Sequence, residues 1–351
     1  MKALTFQGVE TVRCEKVAEP AIRDGRDAIV EVRLAAICGS DLHVYHGREA
    51  GLDAGTVMGH EFVGRVAETG RDVREFRPGD TVMCPFTTSC GKCFYCAAGL
   101  TARCVEGKLF GWVERGQGLH GGQAERVRVP LADSTLQKVP DDLPPEAALL
   151  LGDILSTGAF VAQMAGAGPR AASVVVGCGP VGLMAVIAAA ERGSEKESLF
   201  AIDSVPERLA LAARFGATPV DLRGPVPPAE VIRAATGGRG ADAAMEVVGS
   251  AAAGRLAFDC VRPGGTVAVV GVHTEPAFAF TPAEAYDKNL TYRVGRCPAR
   301  ALMPGLVPLA RRRAKDLAAV FTHRMPLERG AEAYRLFASR AEGCIKIALA
   351  P

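Results

Sequence analysis

Ser173-Val174-Val175-Val176-Gly177-Cys178-Gly179-Pro180-Val181-Gly182 is a short apolar run that passes through G-x-G-x-x-G into an alanine-rich stretch. Valines on both faces are how a strand covered on each side of a parallel sheet reads. The glycines allow a tight turn, close approach of a pyrophosphate and close packing of helix on strand. The anion then rests on the helix N-terminus, where free N–H groups and the dipole favour negative charge. Gly177, Gly179, Pro180, Val181 and Gly182 are therefore candidate cofactor contacts. The next apolar run, residues 199–203, ends at Asp203, about 20 residues further on, where an acid accepts adenosine ribose hydroxyls. The glycine pattern alone also fits a turn in an unrelated α/β domain. Strand, turn, helix and distal acid together predict a dinucleotide site. A carboxylate at position 203 repels a 2′-phosphate, so NAD is expected over NADP. Arg208 either softens that preference, lies against adenine, or stands in solvent.

Outward from this stretch, apolar strands alternate with helices from about Leu155 to Gly295. Strands are expected at 173–176, 199–203, 243–247, 266–270 and 290–294, with helices at 181–192 and 206–215. Gly224-Pro225-Val226-Pro227-Pro228 reads as a stiff surface loop. Residues 1 to about 150 are different. Short β-runs such as Ala28-Ile29-Val30-Glu31-Val32, Gly64-Arg65-Val66-Ala67 and Asp80-Thr81-Val82-Met83 are broken by Gly, Pro and Asp. That pattern argues for a partly antiparallel, barrel-like domain. After about Gly295 the alternation stops, and a last strand is expected at 344–349. The expected fold is α/β, with a split β-rich catalytic domain (1–154 and a return segment, 296–351) and a doubly wound parallel-sheet domain at 155–295.

The chain has 351 residues, 48% hydrophobic and 23% charged, with a formal net charge of +2. That size and balance suit two globular domains. Basic residues are spread out, and the run at 311–313 reads as a solvated helical face, so neither nucleic acid nor an anionic membrane is an expected partner. The N-terminus lacks a signal-peptide core, and no apolar stretch free of turn formers reaches about 18 residues, so no membrane span is expected. Eleven cysteines, an odd number, fit a reducing cytoplasm better than a disulfide scaffold.

Four of them, Cys90, Cys93, Cys96 and Cys104, form C-x2-C-x2-C-x7-C. Four thiolates at that spacing can close a tetrahedral shell around one zinc, which makes the lobe at about 88–106 a structural site.

Three more strings carry chemistry: Cys38-Gly39-Ser40-Asp41-Leu42-His43, then Gly59-His60-Glu61-Phe62-Val63-Gly64 with Gly70 and Val73, then Gly152-Asp153-Ile154-Leu155-Ser156-Thr157-Gly158. With the cysteine lobe and the glycine fingerprint they stand in the order of the zinc-dependent medium-chain alcohol dehydrogenases, which the chain resembles over nearly its whole length. The resemblance implies a GroES-like catalytic domain and a Rossmann domain. By position it places a catalytic zinc on Cys38, His60 and Asp153. Many members use a second cysteine at the third position. The aspartate resembles bacterial secondary-alcohol dehydrogenases and some formaldehyde-oxidising members. Thiolate, imidazole and carboxylate all suit zinc, and three protein ligands leave one position open. Asp153 otherwise reads as a helix N-cap, Cys38 as a buried apolar cysteine and Asp41 as a turn residue. In the family reading Glu61 lies behind the metal or ligates it transiently, and Asp41 accepts the other ring N–H of His60.

The resemblance also implies the reaction. Zinc polarises an alcohol oxygen, hydride passes to the nicotinamide, and Ser40, the nicotinamide ribose and His43 carry the proton to solvent. His43 otherwise reads as an ordinary surface or core histidine, with His46 a weaker stand-in. Trp112 is either a wall of the substrate pocket or core packing. Val270 and Val272 are expected at the nicotinamide carboxamide, and Arg296, Cys297, Pro298 and Lys346 at cofactor phosphates or the cleft. The expected function is an NAD-dependent alcohol dehydrogenase with two zinc ions per chain, acting on a secondary or branched alcohol or the matching ketone or aldehyde. It is expected to be cytoplasmic and a homodimer or homotetramer. Polyol, threonine-type or formaldehyde dehydrogenase is the alternative, and a non-catalytic NAD or zinc sensor the reading from another class.

Overall fold

The computed structural model describes residues 1–351, the side chain of Glu342 excepted. In chain order its elements begin with β1 (Lys2–Gly8), β2 (Thr11–Lys16), β3 (Ala28–Ala36), α1 (Asp41–Tyr45), β4 (Glu61–Thr69), β5 (Thr81–Met83) and α2 (Phe94–Ala97). Next come β6 (Trp112–Glu114), β7 (Gln117–Leu119), β8 (Arg126–Val129), α3 (Ala132–Thr135), β9 (Gln137–Lys138), α4 (Pro145–Leu151) and α5 (Ile154–Ala165). The α/β stretch holds β10 (Ser173–Val176), α6 (Pro180–Glu191), β11 (Leu199–Asp203), α7 (Pro206–Phe215), β12 (Thr218–Asp221), α8 (Pro228–Ala235), β13 (Ala241–Glu246), α9 (Ala251–Cys260), β14 (Val261–Val269), α10 (Pro282–Asp287) and β15 (Thr291–Val294). The chain ends with α11 (Ala299–Arg312), α12 (Ala314–Ala319), β16 (Phe321–Pro326), α13 (Gly330–Ser339) and β17 (Lys346–Ala350). The chain divides into two compact units, 1–156 with 298–351, and 157–297.

The unit at 157–297 is a six-stranded sheet, all parallel, in the order β12-β11-β10-β13-β14-β15. Every residue of β10 is buried, as its unbroken valines require of a central strand. The strand order reverses between β10 and β13, and open parallel sheets bind ligands outside the carboxyl ends at such a point.

The other unit is built on a seven-stranded sheet, β16-β17-β3-β4-β5-β9, with β8 also paired to β3. β3 and β4 run antiparallel with two register shifts, which bend the pair and increase its twist. β17 lies antiparallel to β3, opposing Ala348 to Ala36 and Leu349 to Ala35, so the end of the chain completes a sheet begun by its start. Phe62, Phe110, Tyr334 and Leu349 share the core against this sheet.

Some sequence-based boundaries move. The expected strand at 344–349 is found at Lys346–Ala350 because a 3₁₀ turn, Ala341–Gly343, precedes it. After 295, where the alternation was expected to stop, α11, α12, β16 and α13 precede that strand. Pro228 is not part of a surface loop but the buried first residue of α8, where its missing N–H has no role in the helix. Of the basic run, Arg311 and Arg313 pair with Asp142 and Asp316, at 2.8 and 3.2 Å. Among the described residues no single helix is long and apolar enough to cross a membrane.

Candidate metal centre and cofactor site

The antiparallel register sets Ala36, the end of β3, opposite Glu61, the start of β4. Cys38 therefore leaves the sheet at the same end where His60 enters it. Gly59 makes that entry at φ +89°, and a Cβ there would lie 2.3 Å from the Gln123 side chain. Asp153 arrives from the turn between α4 and α5. Its predecessor Gly152 has no room for a side chain, since a Cβ would stand 2.2 Å from the Cys84 carbonyl oxygen. Asp153 Oδ2 lies 3.3 Å from Cys38 Sγ and 3.3 Å from His60 Nε2. Donors bound to one tetrahedral zinc at about 2.1 Å sit about 3.4 Å apart, so these three fit that ion.

Glu61 contributes a fourth buried donor, all four lying within 4.8 Å of one another. Thiol, imidazole and two carboxyls packed so closely create a demand for positive charge. Burial pushes the Cys38 thiol up to about 11, with Asp153 and Glu61 adding to the effect. For His60 burial works the other way, yet Asp41, Cys38 and Asp153 hold its pKa well above the ordinary value. Metal ligands must be deprotonated, so metal binding here would be coupled to proton release.

Behind the donors lies a fully buried support. Asp41 Oδ1 is 3.3 Å from His60 Nδ1, and its Oδ2 accepts the Cys38 N–H at 3.0 Å. Gln123 Nε2 donates to Asp41 Oδ2 (3.2 Å) and to the Ala36 carbonyl (3.1 Å), while its Oε1 accepts from Tyr334 Oη at 2.9 Å. Neither Gln123 nor Tyr334 carries a motif, and the sequence reading missed both. Only the glycines before Gln123 signal close packing: Cβ atoms on Gly121 and Gly122 would meet Gly59 O at 2.1 Å and the Phe62 ring at 2.3 Å.

Lys346 is not at cofactor phosphates. It is 0% exposed, donates to Glu61 Oε1 at 2.9 Å and to the Ile37 carbonyl at 3.3 Å, and stands 2.7 Å from Glu61 Oε2. The Oε2 approach is an ion-pair contact without hydrogen-bond alignment, which leaves that oxygen without a directed donor. Burial pushes the Glu61 carboxyl up, against the pull of Lys346. The lysine faces a buried glutamate because β17 runs through the core of the sheet.

Ser40 Oγ lies 3.3 Å from His60 Nε2. His43 is one turn on in α1, joined to Ser40 by a backbone hydrogen bond of 3.0 Å, and its Nδ1 is buried without a hydrogen-bond partner. Trp112 is half-buried on β6 against the core that holds Phe62 and Phe110. Cys297 and Pro298 are buried where one unit gives way to the other, and Arg296 is exposed.

Cys90, Cys93, Cys96 and Cys104 bring their sulfurs within 4.8 Å of one another. Cys104 Sγ accepts the Cys90 N–H at 3.1 Å, and Cys90 Sγ accepts that of Cys93 at 3.4 Å. Backbone hydrogen bonds from Val105 and Cys96 hold the Cys93 thiol down, at about 6. Such N–H···S bonds stabilise thiolates, the form that binds metal. All eleven cysteines are free of disulfides.

In the other unit, Gly177 turns at φ +95°, and a Cβ on Gly182 would lie 1.8 Å from the Gly177 carbonyl oxygen. Gly179 caps α6, Pro180 takes its first turn and Val181 follows. Asp203 ends β11 and gathers backbone donors: Cys178 on Oδ2 at 2.7 Å, and Ser204 and Val205 on Oδ1 at 2.7 and 2.9 Å. Arg208 Nη1 stands 4.0 Å from Asp203 Oδ2 and so tempers its charge. Val270 is half-buried and Val272 exposed, both just past β14.

Residues 24–141 match the family model described as the alcohol dehydrogenase GroES-like domain, and residues 180–311 that of the zinc-binding dehydrogenases. A medium-chain reductase/dehydrogenase from an Acremonium species is 46% identical over 82% of this chain and 98% of its own. The zinc-type alcohol dehydrogenase B of Aspergillus flavus is 41% identical over 96% of this chain and 78% of that protein. In structure the chain is similar to the alcohol dehydrogenase of Thermus sp. ATN1, with a TM-score of 0.92 at 38% identity, covering 100% and 99% of the two chains.

Proposed function

This chain belongs to the zinc-dependent medium-chain alcohol dehydrogenases, and on that premise we propose that it oxidises a secondary or branched alcohol with NAD, or reduces the matching carbonyl. The observation that carries the reading is the trio of Cys38, His60 and Asp153, in which Asp153 Oδ2 lies 3.3 Å from each of the other two donors and all lie within 4.8 Å of one another. When bound there, zinc supplies a Lewis acid that lowers the pKa of a hydroxyl group, and the nicotinamide supplies the hydride acceptor.

The chain's own residues do the rest. Cys38 and Asp153 bring two negative charges to the metal, and the carboxylate makes it a harder acid than a second thiolate would. Asp41 fixes which ring nitrogen of His60 carries the hydrogen, leaving Nε2 to face the donors. Ser40 Oγ, beside His60 Nε2, receives the substrate proton, and His43 hands it on to solvent. The four cysteines hold a second zinc that orders their loop and take no part in the reaction. Asp203 favours NAD because a 2′-phosphate would meet its carboxylate.

A panel of primary, secondary and polyhydric alcohols, assayed with NAD and with NADP by the absorbance of the reduced cofactor, tests this reading. Turnover of secondary or branched alcohols with NAD is expected. Preference for a polyol, an amino alcohol or formaldehyde would displace the substrate assignment, and no turnover with intact metal would displace the function.

A further inference from the structure

Glu246 ends β13 and is 0% exposed. Its Oε1 accepts the N–H groups of Val248 (2.8 Å) and Gly249 (2.7 Å), and its Oε2 lies 3.0 Å from His273 Nε2. A carboxylate has nothing to donate, so the imidazole hydrogen is on Nε2. A buried carboxylate needs such donors, and among the described residues His273 is the side chain that supplies one.

The donors come from two loops, 247–250 after β13 and 270–273 after β14. These loops pack without slack. Gly249 turns at φ +82°, and a Cβ there would stand 2.3 Å from the Val272 carbonyl oxygen. A Cβ on Gly271 would stand 2.2 Å from Gly249 N and 2.7 Å from Glu246 Oε2. Val248 reaches the glycine-rich loop after β10, its Cγ2 lying 2.4 Å from where a Cβ on Gly177 would be. One carboxylate thus ties together the loops at the carboxyl ends of β13 and β14, and Val248 packs the first of these against the loop after β10, around the point where the strand order reverses.

We propose that Glu246 and His273 are a positioning pair for the dinucleotide, an inference that rests on the cofactor reading above. Glu246 fixes the loop after β13 through its backbone, and His273 pins the loop after β14 to the same carboxylate. The two loops then present one preset surface to the cofactor, and the binding step does not have to order them. Neither residue acts on the reacting atoms.

The test compares His273→Ala and His273→Gln with the unmodified protein by fluorescence titration with NADH and NADPH, by kcat and KM for the cofactor, and by thermal unfolding. His273→Ala is expected to weaken dinucleotide binding roughly tenfold, the size of one charge-assisted hydrogen bond. It should raise KM for the cofactor more than it lowers kcat. Zinc content should stay unchanged and the cofactor-free protein should stay folded at the assay temperature with only a modest drop in unfolding temperature, since Glu246 keeps its two backbone donors when the imidazole is lost. His273→Gln keeps a donor and recovers most of the affinity. Unchanged affinity in His273→Ala overturns the pair, as does equal weakening by both variants or a loss that follows destabilised folding. If the unmodified protein binds neither dinucleotide, the cofactor reading fails and the pair falls with it.

Discussion

Replacing Asp153 by alanine removes the oxygen that lies 3.3 Å from both Cys38 Sγ and His60 Nε2. Of the proposed ligand trio Cys38 and His60 then remain, with Glu61 engaged by Lys346, and metal analysis should show a loss of about one zinc per chain together with loss of turnover. Full activity in that variant would reassign the third ligand. Lys346 acts one layer deeper. Lys346→Met strands Glu61 in the interior without its counter-charge, which costs about 3–5 kcal/mol in urea denaturation. Adding Glu61→Gln should recover much of that, because no charge is then left buried; a double variant no more stable than the single one would contradict the ion pair. His43 sets a pH dependence. Burial lowers its pKa from the ordinary 6.5. Folding is therefore penalised by this histidine only as pH falls from about 6.5 through the lowered value, where the unfolded chain binds a proton that the folded one refuses. At neutral pH the ring is free to accept a proton. His43→Ala should slow alcohol oxidation most near neutrality and least at high pH, where hydroxide takes over, and an unaltered pH–rate profile would take His43 out of the relay.

Elements differ in how openly the sequence declares them. β10 and the start of α6 were plain because three valines run straight into a glycine turn whose geometry admits few alternatives. Gly182→Ala tests that turn: its methyl group would meet the Gly177 carbonyl, so dinucleotide binding should be lost while zinc is retained. Asp203→Gly should raise the use of NADP relative to NAD, and no change would mean that Asp203 does not meet the ribose. β12 and β16 were not readable. Each contains a proline and polar residues, Thr218–Asp221 and Phe321–Pro326, and each borders its sheet, where apolar patterning is weakest. The periodicity of α11 is broken by Pro304 and Pro308 inside the helix. Proline normally argues against a helix at such positions.

At the scale of the molecule, the chain leaves one unit after Ser156 and returns to it at Pro298. The six-stranded unit has its own buried cluster, including Val174, Ile202, Ala244 and Val267. Stripping zinc with a chelator should therefore leave NADH binding by that unit in place, as read by fluorescence, and loss of binding on chelation would contradict this independence. The same interruption explains which parts of the site stayed hidden. Cys38, His60 and Asp153 stand in local strings whose residue types suggest metal binding. Gln123, Tyr334 and Lys346 have no such strings. Tyr334 is 211 residues from the glutamine it holds, and only the folded sheet brings the two together. Glu246 was hidden for another reason: no local string marks it, and its partners Val248, Gly249 and His273 come from loops after two different strands.

The return of β17 to β3 also fixes an order of events during synthesis. Lys346 is made 285 residues after Glu61, roughly a quarter of a minute to a minute later at ribosomal speed. From the synthesis of Asp153 until then the growing chain has every zinc donor but lacks the cation that lets Glu61 be buried beside them. The first sheet cannot close over its metal centre in that interval. The nucleotide-binding unit, contiguous in sequence and already complete, is free to fold ahead of the unit that began before it.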